Sequence, residues 1–516
     1  MASTQLEKQT EPVQGDRLEE AKDISDRGTG EDVEQAQIPQ PEDEHDTSAE
    51  HDEFEVTWDG DDDPSNPMNW SNSRKISIIA MVSFVTFLTP LASSMFAPGV
   101  PNVMEEFSTS SNLLAAFVVS IYVLGFAFGP LVVAPASELL GRSPVYHICN
   151  TLFVIFTILN AVAVNLPMLI AFRFFAGFAG VGAITIGSGT IADLIPPERR
   201  GMSMALYSMG PIFGPIVGPI AGGFLTQGAG WRWVFWVITI SGGVVTVACF
   251  FVLRETLATV ILEKKAIRLR KETNNPDWHV RKPLDLPPRQ LLMQSIVRPM
   301  RILLLTPVAS AMSIYIAILY GLLYILFTTF TFVFKDQYGF STSSAGLSYL
   351  GSGVGTLAGL LYATMLSDRK VRQKIAINQK PQPEDRLPLY MVLPSCLSIP
   401  VGFFIYGWGA QYQVHWIVPQ VGTVITSFGV IIILMCVQTY LVDTFTTYAA
   451  SAIAANTVLR SLLGALLPLC GLDIYDALGL GWGNTLFGLI AFIIAPIPIL
   501  FGLYGERLRA MKPFVG

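Results

Sequence analysis

Residues 129–146 read GPLVVAPASELLGRSPVY and join two apolar stretches, each long enough to cross a lipid bilayer. An α-helix rises about 1.5 Å per residue, so about 20 apolar residues span ~30 Å of hydrocarbon. The chain has 516 residues, of which 51% are hydrophobic and 14% are charged. Soluble domains carry roughly 25% charged residues. The composition therefore argues against an ordinary soluble multidomain protein.

Further apolar stretches follow along the chain. Lipid offers no partner to backbone N–H and C=O groups, so each stretch must be a helix. A long connection at 254–301 divides the twelve stretches into six and six. The sequence predicts an all-α membrane protein with twelve transmembrane helices in two pseudo-symmetric six-helix bundles, at 75–253 and 302–505. We place the twelve stretches near residues 75–97, 113–134, 145–164, 167–191, 201–226, 233–253, 304–331, 344–366, 388–408, 414–439, 447–472 and 483–504.

Charge is distributed unevenly along the chain. Residues 1–70 contain 22 Asp and Glu against 4 Lys and Arg, while the rest contain 18 against 29. The net charge of -7 is therefore the sum of -18 in this segment and +11 in the remainder. Because so polar a segment cannot bury enough apolar surface to fold, we expect residues 1–70 to be a disordered acidic tail. Without a basic soluble domain, a nucleic-acid partner is not expected.

The connections between apolar stretches predict the orientation in the membrane. The connection at 254–301 carries eleven Lys and Arg and the one at 367–387 carries six, and twelve crossings place both on the side of the two termini. By the positive-inside rule this side faces the cytosol. We therefore expect a basic cytosolic loop at 254–301, a cytosolic tail at 506–516 and both termini in the cytosol.

The second apolar stretch closes with an acid, Glu138, and a base four residues later, Arg142, with Gly141 between them. Glu138 is expected to accept hydrogen bonds from helix amides or from Arg142. A faint repeat, Asp368-Arg369-Lys-Val-Arg, closes the eighth apolar stretch. Both sites lie at equivalent points of the two halves, on the expected cytosolic side. The plain alternative is an ordinary polar turn.

This stretch resembles the loop signature of the major facilitator superfamily, Gly-x-x-x-Asp-x-x-Gly-Arg followed by a base. Three positions depart from the signature, with Ala134 for its first Gly, Glu138 for its Asp and Ser143 for its second base. A Ser-Glu version followed by Pro-Val-Tyr is similar to fungal drug:proton antiporters with twelve spans. The resemblance extends over about residues 60–505.

The fifth apolar stretch carries glycines at a spacing of four, which places them along one side of a helix. Such a stripe lets a neighbouring backbone approach closely. The repeated Gly-Pro pairs resemble the antiporter motif of the superfamily, which implies exchange and export. The alternative is a packing groove without bearing on transport direction. The motif residues are Gly210, Gly214, Pro215, Gly218, Gly222 and Gly223.

Arg173 lies about 9 Å into the fourth stretch, where a guanidinium needs a cavity or a partner. With Gly177 it resembles the Arg-x-x-x-Gly motif of the superfamily's fourth helix, which implies a role in proton coupling. Snorkelling toward the outer interface is the alternative. Asp193 ends the stretch and is a second candidate for proton coupling. A latch with Arg142 across the cytosolic mouth is favoured for Asp193, because an acid in contact with water keeps a near-normal pKa.

The second half contains a candidate substrate surface. Tyr320, Tyr324 and Phe327 share one face of the seventh stretch at helical spacing. Arg460 lies near the middle of the eleventh stretch, where it must face protein or water. Bulky apolar or planar substrates need aromatic surfaces of this kind. Packing against neighbouring helices or lipid is the alternative for the aromatic residues.

The resemblance implies a proton-coupled efflux transporter that exports hydrophobic small molecules by alternating access, either xenobiotics, antifungals or a fungal secondary metabolite or toxin. It also implies a monomer in the plasma membrane, with the vacuolar membrane as the alternative. A permease or exporter of polyamines or other nutrients is the rival function, although Glu138, Asp193 and Asp443 all lie at the cytosolic edge. No nucleophile–base set, phosphate loop or metal cluster appears, so no enzyme activity, cofactor or metal is expected.

Overall fold

The fold is a bundle of long helices that run back and forth between two faces. In the described part of the chain every regular element is a helix, apart from one isolated bridge between Glu55 and His279. We call the end of the bundle at which the first crossing begins and the last crossing ends the terminal face, and the opposite end the far face. The computed structural model describes residues 54–60, 62–196, 199–280, 288–366, 369–377, 379, 382–445 and 448–511.

The first half makes six crossings, because α1 and α2 form one crossing together and α5 and α6 form another. Gly141 has a φ of 99° and lies between two crossings with no intervening loop. Only a glycine adopts this conformation without strain, so it allows the chain to reverse in one residue. The helices are α1 (Asn72–Ser94), α2 (Val100–Glu106), α3 (Asn112–Leu140), α4 (Arg142–Ala161), α5 (Leu166–Gly180), α6 (Gly182–Leu194), α7 (Arg200–Ala229) and α8 (Trp231–Val252).

Two helices on the terminal face, α9 (Ala258–Thr273) and α10 (Pro288–Leu305), connect the halves. The first lies within the predicted loop at 254–301, and the second extends four residues past its end. The second half then begins with α11, close to the expected start of the seventh crossing. Its helices are α11 (Pro307–Tyr338), α12 (Thr342–Leu347), α13 (Tyr349–Leu366), α14 (Arg369–Ala376), α15 (Leu389–Gln411), α16 (Ile417–Thr444), α17 (Ala449–Leu466), α18 (Gly471–Ile494) and α19 (Pro496–Met511).

Eleven helical ranges of the described chain are long and apolar enough to span a membrane, and the last one runs over 61 residues from Ala449 to Arg509. A straight helix of that length would measure roughly 90 Å, about three times the hydrocarbon thickness. The chain reverses at Gly479, whose φ is 75°. The Tyr475 hydroxyl consequently reaches back to Asn484 Oδ1 at 3.0 Å. The last range thus contains the eleventh and twelfth crossings.

The two halves pack their helices in the same pattern. In the first half α1 packs against α7, α3 against α5, and α4 against both α5 and α8. In the second half the equivalent pairs are α11 with α17, α13 with α16, and α15 with both α16 and α18. Between the halves α3 packs against α17, and α7 packs against α12 and α13. Repetition of the pattern confirms two pseudo-symmetric six-helix bundles.

The segment before α1 differs from the expected disordered tail of 1–70. Val56 is 3% exposed and forms a small apolar cluster with Ala266 of α9 and Val280. The Val56 N–H donates to the carbonyl of His279 at 2.8 Å. Local composition does not reveal this contact, since the partners lie more than 200 positions away. Residues 1–53 of the predicted tail lie outside the described residues.

Candidate functional site

The terminal face of the first half carries an ion pair between two helix ends. Arg142 begins α4, and its Nε lies 3.4 Å from Asp193 Oδ2 at the end of α6. The side chains are 15% and 20% exposed. Arg142 Nη1 also donates to the Ser137 hydroxyl at 2.8 Å, and the Thr256 hydroxyl donates to Asp193 at 3.2 Å. The predicted pairing of Asp193 with Arg142 is confirmed.

Glu255, directly after α8, completes this arrangement and was missed by the sequence analysis. Its carboxylate accepts the backbone N–H of Arg142 at 2.9 Å and of Ser143 at 3.2 Å. A carboxylate is favourable there because the first N–H groups of a helix lack intrahelical partners and carry partial positive charge. The side chain lies against Gly141, where a Cβ atom would collide with it. The sequence feature that could have indicated this role is the polar tripeptide Arg254-Glu-Thr256 immediately after the sixth apolar stretch.

The interaction expected for Glu138 is absent from the described part of the chain. Glu138 is exposed and makes no hydrogen bond or ion pair there, whereas the neighbouring Ser137 is buried and contacts Arg142. The prediction was wrong because α3 remains helical to Leu140, which turns position 137 inward and position 138 outward. In the second half, Asp368 lies outside the described residues, and Arg369 begins α14 as an exposed side chain.

The second half has its own ion pair at the equivalent position. Asp443 lies near the end of α16, as Asp193 does in α6, and accepts Arg386 Nε at 2.6 Å. Glu384 accepts both Nε and Nη2 of Arg509 at 2.9 Å each, which ties α19 to the segment before α15. Each half therefore joins its third and fourth crossings by an arginine–aspartate pair on the terminal face.

Asp385 is buried at the terminal face and interacts with two lysines. Its carboxylate lies 3.2 Å from Lys370 Nζ and 2.8 Å from Lys374 Nζ, both on α14. Burial alone would raise its pKa. The hydrogen bonds from Lys374, the Gln382 N–H and Lys370 outweigh burial and hold the pKa of Asp385 below its usual value. The site anchors α14 to the bundle.

The glycine stripe of α7 lies directly against α1. A Cβ atom at Gly214 would lie 2.7 Å from Leu91 N and 3.0 Å from Phe87 O. Equivalent overlaps occur at Gly210 and Gly218 with the α1 backbone and at Gly222 with the backbone of Met95, directly after α1. Pro215 lies within the helix between these glycines. The predicted backbone approach is confirmed. Gly223 faces α12 of the other half, where a Cβ atom would lie 2.8 Å from Thr342 O.

Arg173 is enclosed in the interior of the first half. It is 1% exposed, and its Nη2 donates to Ser93 O of α1 at 3.0 Å. Its Cζ lies 4.8 Å from the ring centroid of Phe96, 5.3 Å from that of Tyr122 and 5.8 Å from that of Phe235. Cation–π attraction within this distance range stabilises the guanidinium. The side chain is directed into the bundle and does not reach toward an interface.

Three aromatic residues of α11 lie in a row, which we call the ladder, and Arg460 of α17 lies at one end of it. The Arg460 Cζ lies 4.9 Å from the Tyr320 ring centroid. The ring centroids of Tyr320 and Tyr324 are 4.9 Å apart, and those of Tyr324 and Phe327 are 5.6 Å apart. Tyr324 interacts with the side chain of Ser93 in α1. Ser93 thus lies between Arg173 of the first half and Tyr324 of the second.

We call Ser93, Arg173, Tyr320, Tyr324, Phe327 and Arg460 the central cluster. It draws on α1, α5, α11 and α17, and it carries two guanidinium groups. The sequence has no Asp or Glu within 64–104, 139–192, 302–335 or 444–472. These ranges contain α1, α5 and α17 completely, and they contain α11 except for its last three residues, which begin with Asp336 at the far face. The cluster therefore combines positive charge with aromatic rings that are tilted against one another, and no acid lies in these ranges to neutralise it.

Comparisons with known proteins agree with this architecture. A family profile described as the Major Facilitator Superfamily matches residues 82–468. The MFS-type transporter tndD of Aspergillus flavipes is 54% identical over 461 residues, covering 88% of this chain and 85% of the relative. The efflux pump radE of Floropilus chiversii is 50% identical over 465 residues, covering 89% of this chain and 85% of the relative.

Among solved structures, a similar fold occurs in a bacterial homologue of the human lysosomal transporter Spinster, crystallised in an inward-facing, occupied conformation. The TM-score is 0.61 at 15% sequence identity, covering 86% of this chain and all of that one (100%). At this identity the likeness concerns the fold alone.

Proposed function

The chain belongs to the major facilitator superfamily, and we propose that it is a proton-coupled exporter of hydrophobic small molecules that works by alternating access. It is a multi-pass membrane transporter rather than an enzyme. Its substrates are xenobiotics, antifungals or a secondary metabolite or toxin of a fungal cell. We place it as a monomer in the plasma membrane, with the terminal face toward the cytosol. The name of one relative, an efflux pump, supports export.

The observation that carries this proposal is the central cluster. Tyr320, Tyr324 and Phe327 offer an aromatic surface in the interior of the bundle, which suits bulky apolar molecules. Ser93 contacts this ladder from the other half. Because the cluster is built from both halves, rocking one half against the other would change the surface that a substrate meets.

We assign proton coupling to Arg173. A fixed positive charge in a region of low dielectric constant responds strongly to any change of charge nearby. Ser93 connects Arg173 to the substrate ladder through its carbonyl and its side chain. A change of charge near Arg173 would therefore be felt at the substrate surface, which is the physical requirement for exchange.

We assign Asp193 and Arg142 to a latch on the terminal face. The closed latch holds two helices of the first half together, so that this half moves as one body. The pair connects the ends of α4 and α6, and Thr256 adds the segment after α8. Gly141 and Glu255 set the start of α4 against this pair. Protonation of Asp193 would weaken the latch and couple it to the proton.

The rival function, a permease or exporter of polyamines, needs carboxylates that face a polycation. The four crossings of the central cluster supply two arginines and no acid between 64 and 104, 139 and 192, 302 and 335, or 444 and 472. A polycation would be repelled from this site. The charge of the cluster therefore favours the exporter over the polyamine transporter.

Expression in a host strain that lacks its own efflux pumps tests the proposal. We expect cells with the wild-type chain to accumulate less of a lipophilic fluorescent dye, and a protonophore to abolish the difference. Arg173→Ala should lose the effect, while Arg268→Ala, an arginine 78% exposed on α9, should retain it. Equal dye accumulation with and without the chain, or greater uptake of a polyamine, would contradict the proposal.

A further inference from the structure

Only one of the two arginines of the central cluster is open to a ligand. Arg173 is 1% exposed and surrounded by three aromatic rings. Arg460 is partly exposed, and its Nε is buried without a hydrogen-bond partner among the described residues. A guanidinium offers five N–H donors in a planar fork, so Arg460 retains donors that a ligand can use.

Among the described residues Arg460 also lacks a counter-charge. No ion pair of Arg460 occurs in the part of the chain that the structure describes, and its crossing contains no acid between residues 444 and 472. The Tyr320 ring centroid lies 4.9 Å from the Arg460 Cζ. A cation in the membrane interior is costly unless an anion or water compensates it. A substrate with a negative charge would supply this compensation.

We infer that Arg460 and Tyr320 form a subsite for the acidic group of the substrate, and that the exported molecules are planar, conjugated weak acids in their anionic form. This inference rests on the proposed function, because it names the substrate class of the same site. The acidic group pairs with the Arg460 fork. The conjugated body lies along Tyr320, Tyr324 and Phe327, which extend for about 10 Å along α11. Neutral lipophilic molecules contact only these aromatic rings and not the Arg460 guanidinium.

Two probes with one ring skeleton isolate the acidic group. Anilinonaphthalene sulfonate is an anion, phenylnaphthylamine is its neutral counterpart, and the fluorescence of both rises in apolar surroundings. Binding to the purified full chain in detergent is measured by titration, without any gradient. The variants are Arg460→Gln, which removes the charge, Arg460→Lys, which keeps it, and Arg268→Gln on exposed α9 as the matched control.

We expect Arg460→Gln to weaken sulfonate binding about tenfold, the size of one charge-assisted hydrogen-bonded contact, and to leave binding of the neutral probe unchanged. Arg460→Lys should retain part of the sulfonate affinity, and Arg268→Gln all of it. Retained binding of the neutral probe also reports that the variant is folded. Equal sulfonate affinity in wild type and Arg460→Gln overturns the inference, as does an equal loss for both probes. A chain that discriminates the probes but does not extrude dye refutes the proposed export and leaves the subsite standing.

Discussion

Replacement of Gly214 by alanine tests whether the glycine stripe holds α7 against α1. A Cβ atom there would lie 2.7 Å from Leu91 N, whereas ordinary van der Waals contact begins at 3.4 Å. The two helices must therefore separate by about 0.7 Å at this point. Overpacking of this kind costs about 1–3 kcal/mol. The higher helix propensity of alanine returns at most ~1 kcal/mol, so we expect a net loss of on the order of 1 kcal/mol.

Gly243→Ala in α8 is the matched control, because no heavy atom lies within 4 Å of a Cβ atom at that position. Thermal unfolding of the purified variants can be followed by the reaction of a fluorogenic maleimide with four buried cysteines, Cys149, Cys249, Cys396 and Cys436. We expect Gly214→Ala to unfold at a lower temperature than wild type, Gly214→Leu at a lower temperature still, and Gly243→Ala at or above the wild-type temperature. Equal unfolding temperatures for Gly214→Ala and Gly243→Ala would refute the reasoning.

Two further predictions concern the terminal face. In a double-mutant cycle of Arg142→Gln and Asp193→Asn, thermal unfolding should give a coupling of about 0.5–1 kcal/mol for this partly exposed pair; additive effects would show that the contact contributes nothing. Asp385 has a lowered pKa, so its contribution to stability is present above the unfolded-state pKa of about 4 and is lost as the pH falls below it. The unfolding temperature of wild type should accordingly fall more between pH 5 and about pH 3 than that of Asp385→Asn. Asp277→Asn, on the exposed linker, is the control and should follow the wild type. Identical pH profiles for wild type and Asp385→Asn would contradict the assignment.

The hydropathy of the sequence was sufficient to predict the crossings, because lipid imposes helices on any long apolar stretch. The spacing of the glycines was sufficient to predict the stripe of Gly214 and its neighbours, since residues four positions apart lie on one face of a helix. The Arg142–Asp193 pair was predictable because opposite charges lie where the third crossing begins and the fourth crossing ends, on the same face of the bundle.

Contacts between distant segments were less predictable. The role of Glu255 depends on the reversal at Gly141, which brings the start of α4 to the end of α8. The error at Glu138 came from the exact point at which α3 ends, because one residue of helix turns a side chain by about 100°. The bridge between Glu55 and His279 joins segments that are separated in sequence by a complete half of the bundle.

The most direct test of proton-coupled export is transport by the purified chain in liposomes under an imposed pH gradient. We expect the wild type to move a lipophilic dye against its own gradient when protons flow in the opposite direction, and to stop when a protonophore is added. Arg173→Ala should bind the dye but lose this driven transport, and Arg173→Lys should retain part of it if charge suffices. Dye movement that is indifferent to the pH gradient, or driven transport by Arg173→Ala at the wild-type rate, would contradict the account.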